Sequence, residues 1–135
     1  MTQKRAPEVG TIGWFDLTVA DAETIRDFYA AVVGWQATPV DMQGYQDYCM
    51  TLPGSGETMA GICHKRGVNA ALPPQWLLYI TVDNLDHSVA QVTALGGQVV
   101  VPPRGSAEHG RFCVIRDPAG AVSALYEAAR SPASS

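Results

Sequence analysis

Between Thr11 and Val19 the chain is dense in apolar and β-forming residues, and the run breaks at Ala20-Asp21, where Asp21 can cap a following helix. In the next segment Ile25, Phe28, Tyr29, Val32 and Val33 recur at helical spacing before Gly34 stops it. That apolar face needs a sheet to pack on. The same order returns downstream: Leu77 to Val82 is an apolar run, Asn84 can cap, and Leu85, Val89, Val92 and Leu95 mark a helix that ends at Gly96-Gly97. After each helix come three shorter β-like stretches separated by turn residues. They cover 35–40, 48–52 and 58–64 in the first half, and 98–101, 112–115 and 122–127 in the second.

The two halves register without gaps through their first strand and helix. An offset of 63 lays Leu17-Thr18-Val19 over Ile80-Thr81-Val82, Ala31 over Ala94 and Gly34 over Gly97. Further on the offset becomes 64, which sets Cys49 on Cys113 and Gly56 on Gly120. Each half reads as βαβββ, so the expected class is α+β, with two such modules forming a cup-shaped half-barrel pair. Module one spans about 9–65, a Gly-, Asn- and Pro-containing linker covers 66–74, module two spans about 75–129, and 130–135 read as a disordered tail. Together 1–135 are expected to form a single domain. A helix covers only one face of each sheet, so the two modules are expected to pair around a cavity with their bare faces.

Composition narrows the partners. The chain of 135 residues, 47% hydrophobic and 16% charged, is large and apolar enough to bury a core unaided. Its net charge of −4, with basic runs only at Lys4-Arg5 and His64-Lys65-Arg66, leaves no stripe to neutralise nucleic acid. Cys49, Cys63 and Cys113 form no CxxC pair and read as small buried hydrophobes in a reduced, cytoplasmic setting. The opening residues lack the apolar core of a secretory signal and no stretch is long enough to cross a bilayer, so no membrane partner is expected.

Several short phrases then carry a resemblance. Leu17 to Asp21, Phe28-Tyr29 and Gly34-Trp35 in the first half, with Gly96-Gly97 and Asp117-Pro118-Ala119-Gly120 in the second, resemble the vicinal oxygen chelate superfamily of glyoxalases, bleomycin-resistance proteins and extradiol dioxygenases. The likeness spans almost the whole chain. Gly13-Trp14-Phe15-Asp16-Leu17 and Gln75-Trp76-Leu77-Leu78-Tyr79 narrow it to a bacterial subgroup with Trp in the first strand. The resemblance implies that two chains often pair, and that metal-dependent members take a His from the first strand and a Glu from the last strand of each module. Counting from the caps and the Asp-Pro turn places those positions at Trp14, Leu77 and Ala124, and the offset of 64 adds Ala60. None offers a ligand atom, since an indole N–H only donates and Leu and Ala have no donor atom. The expectation is no metal; the alternative is a divalent metal at a non-standard site built from His64, Glu108 and His109.

The candidate ligand-binding residues are Trp14, Asp16, Leu77, Tyr79, Ala124 and Tyr126. Trp14 either stacks on a planar ligand or fills the space a metal would take. Asp16 lies two residues on, hence on the same strand face, where a carboxylate in apolar surroundings can act as acid or base; the bland alternative is a solvent-facing Asp. Tyr79 occupies the same place in module two, and Tyr126 shares a face with Ala124. His109, in a Gly/Ser loop, is the other acid/base candidate. Asp117 to Gly120 and Gly54 to Gly56 read as hairpin turns rather than sites. These readings favour a protein that holds a small hydrophobic or aromatic molecule in a metal-free cup. The alternative is a lyase, isomerase or dioxygenase, using a relocated metal or acid/base chemistry at Asp16 or His109.

Overall fold

The computed structural model describes residues 7–129, so the tail read at 130–135 and the Lys4-Arg5 pair lie outside the described residues. Along the chain run β1 (Ile12–Val19), α1 (Ala22–Val33), β2 (Gln36–Asp41), β3 (Gln46–Thr51) and β4 (Thr58–His64). There follow β5 (Trp76–Val82), α2 (Leu85–Ala94), β6 (Gln98–Ser106), β7 (Gly110–Arg116) and β8 (Val122–Glu127). This is the α+β class with βαβββ occurring twice. The segment read as a linker contains a short 3-10 helix, Gly67–Ala71.

The chain sorts into two compact units. One is Trp14–Leu77; the other joins the residues through Gly13 to those from Leu78 onward. In the second unit the Gly10 N–H donates to the Thr81 carbonyl and the Thr81 N–H to the Thr11 carbonyl, each at 2.8 Å, which ties the start of the chain to β5.

Within the first unit the strand order is β2-β3-β4-β1, with β1 and β4 parallel and the other pairs antiparallel. Asp21 caps α1 by accepting from the Thr24 N–H at 3.2 Å and from its hydroxyl at 2.7 Å. Gly34 ends the helix at φ 91, a left-handed conformation that costs glycine little. Leu17, Ala22, Tyr48, Met50 and Ile62 form the core beneath α1, with Ile25, Tyr29 and Trp35 packed against it. The expected five-residue apolar face of α1 is only partly used: Phe28, Val32 and Val33 are 54%, 64% and 51% exposed. Counting 100° per residue from the buried Ala22, Phe28 and Val32 fall round the side of the helix, and Val33 lies in its last turn.

In the second unit the order is β5-β8-β7-β6, again with one parallel pair, β5 with β8. Leu85, Cys113 and Leu125 form the core, flanked by Ile80, Val82, Val89, Val92 and Ile115. Leu95, expected on the apolar face of α2, lies just past the helix and is 71% exposed. The β6 strand is longer than expected, because register shifts after Val99 and after Val101 let it continue through Pro102 and Pro103. At the end of β8 the buried Glu127 accepts from the Leu85 N–H at 2.8 Å and from Arg111 at 3.0 and 3.2 Å. A single carboxylate thus fastens the first turn of α2 to the sheet.

Strand pairing corrects the internal alignment. Asp16 pairs with Gly61 and Tyr79 with Ala124, so the offset of 63 is regained where the last strands meet the first, and the counterpart of Ala124 is Gly61, not Ala60. The slip to 64 at the turn glycines is real but local. Met50 pairs with Ala60 while Thr51 pairs with Thr58, so Met59 is an extra, bulged residue that β8 lacks. The same bookkeeping separates the cysteines. Cys49 pairs with Gly61 whereas Cys113 pairs with Leu125, so they occupy different sheet faces and Tyr48 is the counterpart of Cys113.

Candidate functional site

Strand alternation sends Leu17 and Ile62 toward α1 and Trp14, Asp16, Gly61 and Cys63 to the other face of the first unit's sheet. Trp14 and Asp16 are therefore neighbours, as their spacing predicted. Gly61 makes room for both: a Cβ there would collide with Asp16 Oδ1 and stand 3.2 Å from Trp14 Cζ2. Both side chains are half-buried.

Two further residues enter this face that composition alone had passed over. The Cys63 thiol donates to Asp16 Oδ1 at 3.7 Å. Burial first, then the charges of Asp16 and Asp47, push its pKa well above the usual thiol range, so it is a neutral donor rather than a thiolate. Asp47 also accepts from the His64 N–H at 2.9 Å and lies 3.4 Å from the ring Nδ1. His64, expected near solvent beside Lys65 and Arg66, is instead largely covered, its side chain 21% exposed and set edge-on to Tyr45. The signal that could have found Cys63 is its position two residues after Gly61 on an alternating strand.

In the second unit Tyr79 and Ala124 are cross-strand partners, as are Thr81 and Tyr126. Tyr79 stands 6.0 Å from Phe112, ring centre to ring centre, and the Tyr126 hydroxyl lies 2.7 Å from where a Cβ on Gly110 would be. The structure thus gathers Tyr79, Ala124 and Tyr126 on one face. Ala124 is 0% exposed, and Leu77 of the first unit is 1% exposed, so neither offers open contact surface. His109 sits exposed at the tip of the β6–β7 hairpin, its ring 3.1 Å from the Ser106 hydroxyl and its N–H bonded to the same oxygen. The turns read from sequence are turns: Asp117 Oδ1 accepts from the N–H groups of Ala119 and Ala121, and Gly56 closes on the Leu52 carbonyl.

The four positions where the resemblance expects metal ligands are thus Trp14, Gly61, Leu77 and Ala124, and none supplies a donor. Among the described residues no three His, Cys, Asp or Glu side chains are grouped to hold an ion. Asp16 is bonded to the Cys63 thiol, a pair that by itself falls short of the three donors a metal site needs. The residues present do not fit the metal.

A family model described as the Glyoxalase/Bleomycin resistance protein/Dioxygenase superfamily matches residues 11–124. The candidate glyoxylase CFP32 of Mycobacterium tuberculosis is 36% identical over 124 residues, covering 90% of this chain and 47% of that protein. The anthracycline biosynthesis protein DnrV of Streptomyces peucetius is 30% identical over 129 residues, covering 87% of this chain and 46% of that protein. The chain spans about half the length of these curated relatives. Among solved structures, methylmalonyl-CoA epimerase from Mycobacterium tuberculosis aligns over 98% of this chain and 97% of its own, with a TM-score of 0.54 at 21% identity. A protein from Bacillus halodurans aligns over 92% and 98%, with a TM-score of 0.60 at 12% identity. Such identities speak for the fold alone.

Proposed function

Because this chain belongs to the Glyoxalase/Bleomycin resistance protein/Dioxygenase superfamily, we propose that it binds a small hydrophobic or aromatic molecule without a resident metal. The observation that carries the reading is the face holding Trp14 and Asp16 over Gly61. Where metal-dependent relatives are expected to present ligands, this face presents an indole for stacking and a carboxylate held by a thiol. The test is a calorimetric screen of neutral planar metabolites, with elemental analysis of protein purified without chelator. Saturable binding weakened at least tenfold by Trp14→Leu supports the reading. No saturable ligand, or about one transition metal per chain, overturns it.

A second reading makes the same face catalytic, as a metal-free lyase or isomerase with Asp16 as acid or base. The Cys63 thiol within reach of Asp16 favours it, since a neutral donor fixes the orientation of the carboxylate. Asp16→Asn would then abolish turnover while leaving ligand binding in place. We further propose a homodimer in the reduced cytoplasm. The exposed Phe28, Val32 and Val33 on α1 support pairing, and the unpaired Cys49, Cys63 and Cys113 support the location. Light scattering should show a dimer that Val32→Glu converts to monomer; a monomeric parent protein would refute the pairing.

A further inference from the structure

On the α1 side of the first unit's sheet, away from Trp14 and Asp16, Phe15, Tyr29, Trp35, Met59, Ala60 and Trp76 line a recess of about 350 Å³. Its origin is local. Met59 is the bulged residue of β4 and Ala60 follows it with a single methyl, whereas Ile62 on the same face fills the corresponding space with a full side chain. The walls are aromatic. Trp76 stands edge-on to Tyr29 and Trp35, 5.3 and 6.1 Å away between ring centres, and Tyr29 and Trp35 are 6.2 Å apart. All three rings are only partly buried, so their packing leaves ring surface uncovered.

One polar contact orients the recess. The Trp76 indole N–H donates to the Tyr29 hydroxyl at 3.1 Å, which uses the indole's single donor and leaves the phenol able to donate in turn. Among the described residues no charged side chain lines the space. A charged occupant would lose hydration there without compensation, whereas a flat apolar one gains ring contact. The volume lies within the range of about 300–1,000 Å³ common for small-molecule sites.

We infer that this recess is a second binding site, distinct from the Trp14 and Asp16 face, for a neutral flat aromatic molecule carrying one hydrogen-bond acceptor directed at Tyr29. The probe is 2-acetylnaphthalene, titrated against the intact chain by calorimetry, with naphthalene as the analogue lacking an acceptor. One saturable equivalent per chain is expected. Ala60→Phe, which fills the floor, should weaken the ketone at least tenfold. Tyr29→Phe should weaken the ketone about fivefold or more and leave naphthalene unchanged. Should Ala60→Phe fail to fold, the Tyr29→Phe comparison between ketone and hydrocarbon decides alone, because it removes one oxygen and no ring. The inference is overturned if neither probe saturates, if a folded Ala60→Phe binds the ketone as well as the parent protein, or if Tyr29→Phe weakens both probes equally.

Discussion

Gly61→Ala isolates the contact on which the candidate site is built. Gly61 does not adopt a left-handed conformation, so alanine suits its backbone and restricts the unfolded chain, a gain of about 0.4–1 kcal/mol where nothing opposes it. In the folded protein the new methyl collides with Asp16 Oδ1 and stands 3.2 Å from the Trp14 ring. Asp16 must therefore leave its rotamer, at about 0.5–1.5 kcal/mol, and lose the thiol bond from Cys63, at about 0.5–1.5 kcal/mol. The net expectation is a loss of about 0.5–2 kcal/mol, read by urea unfolding. In an Asp16→Ala background the collision is gone and the same substitution should be neutral or stabilising. The four-protein cycle should return a coupling of about 1–3 kcal/mol between the two positions. A coupling below about 0.3 kcal/mol would show that Asp16 does not rest on Gly61, and the account of this face would have to be withdrawn.

Glu127→Ala removes a buried acceptor from the Leu85 N–H and leaves Arg111 without that partner, so it should cost about 2–4 kcal/mol in denaturant unfolding, whereas Asp86→Ala, at an exposed partner of the same arginine, should cost less than about 1 kcal/mol. Burial raises the pKa of Cys63 beyond the usual range and pushes that of Cys113 up to about 11, so at pH 8 both should resist Ellman's reagent in the folded protein and react once it is unfolded in urea. The sign for stability follows: these thiols are protonated in both states below the unfolded value of 9.0, and their contribution is lost as pH rises above it, which an alkaline unfolding series of Cys63→Ser against the parent protein would reveal. The hydrogen bonds from Thr24 lower the Asp21 pKa, so its cap contribution is present above 3.8 and lost as pH falls below; Asp21→Ala should lower Tm at pH 7 and flatten the acid limb, while Asp21→Asn should retain much of the cap.

Much of the architecture was legible because it rests on local chemistry. Asp21 and Asn84 are side-chain caps, Gly34 needs its left-handed conformation, and Asp117 folds its own turn; each acts within a few residues, so spacing alone announces it. The adjacency of Trp14 and Asp16 was legible for the same reason, since pleating puts alternate residues on one face. That Trp14, Leu77 and Ala124 carry no donor is plain from residue identity, whereas the fourth position implied by the resemblance moves from Ala60 to Gly61 once the strands are paired.

Features that depend on cross-strand pairing leave no mark in the sequence. A bulge at Met59 adds one residue without altering the hydrophobic pattern, so Ala60 and Gly61 exchange roles only when β3 is paired with β4. Cys63 looked like a small hydrophobe because its partners, Asp16 and Asp47, lie on other strands. The apolar stripe of α1 identified a helix but not how much of it would be covered, which depends on where the helix axis settles over the sheet. By itself the sequence determined the order of elements, the helix starts, the doubled βαβββ pattern and the family, because capping, turn formation and periodicity are short-range. Only the tertiary structure decided which residues face one another: Asp16 over Gly61, the thiol of Cys63 against a carboxylate, and the aromatic recess beside Ala60, because strand register and helix placement are set by contacts between residues far apart in the chain.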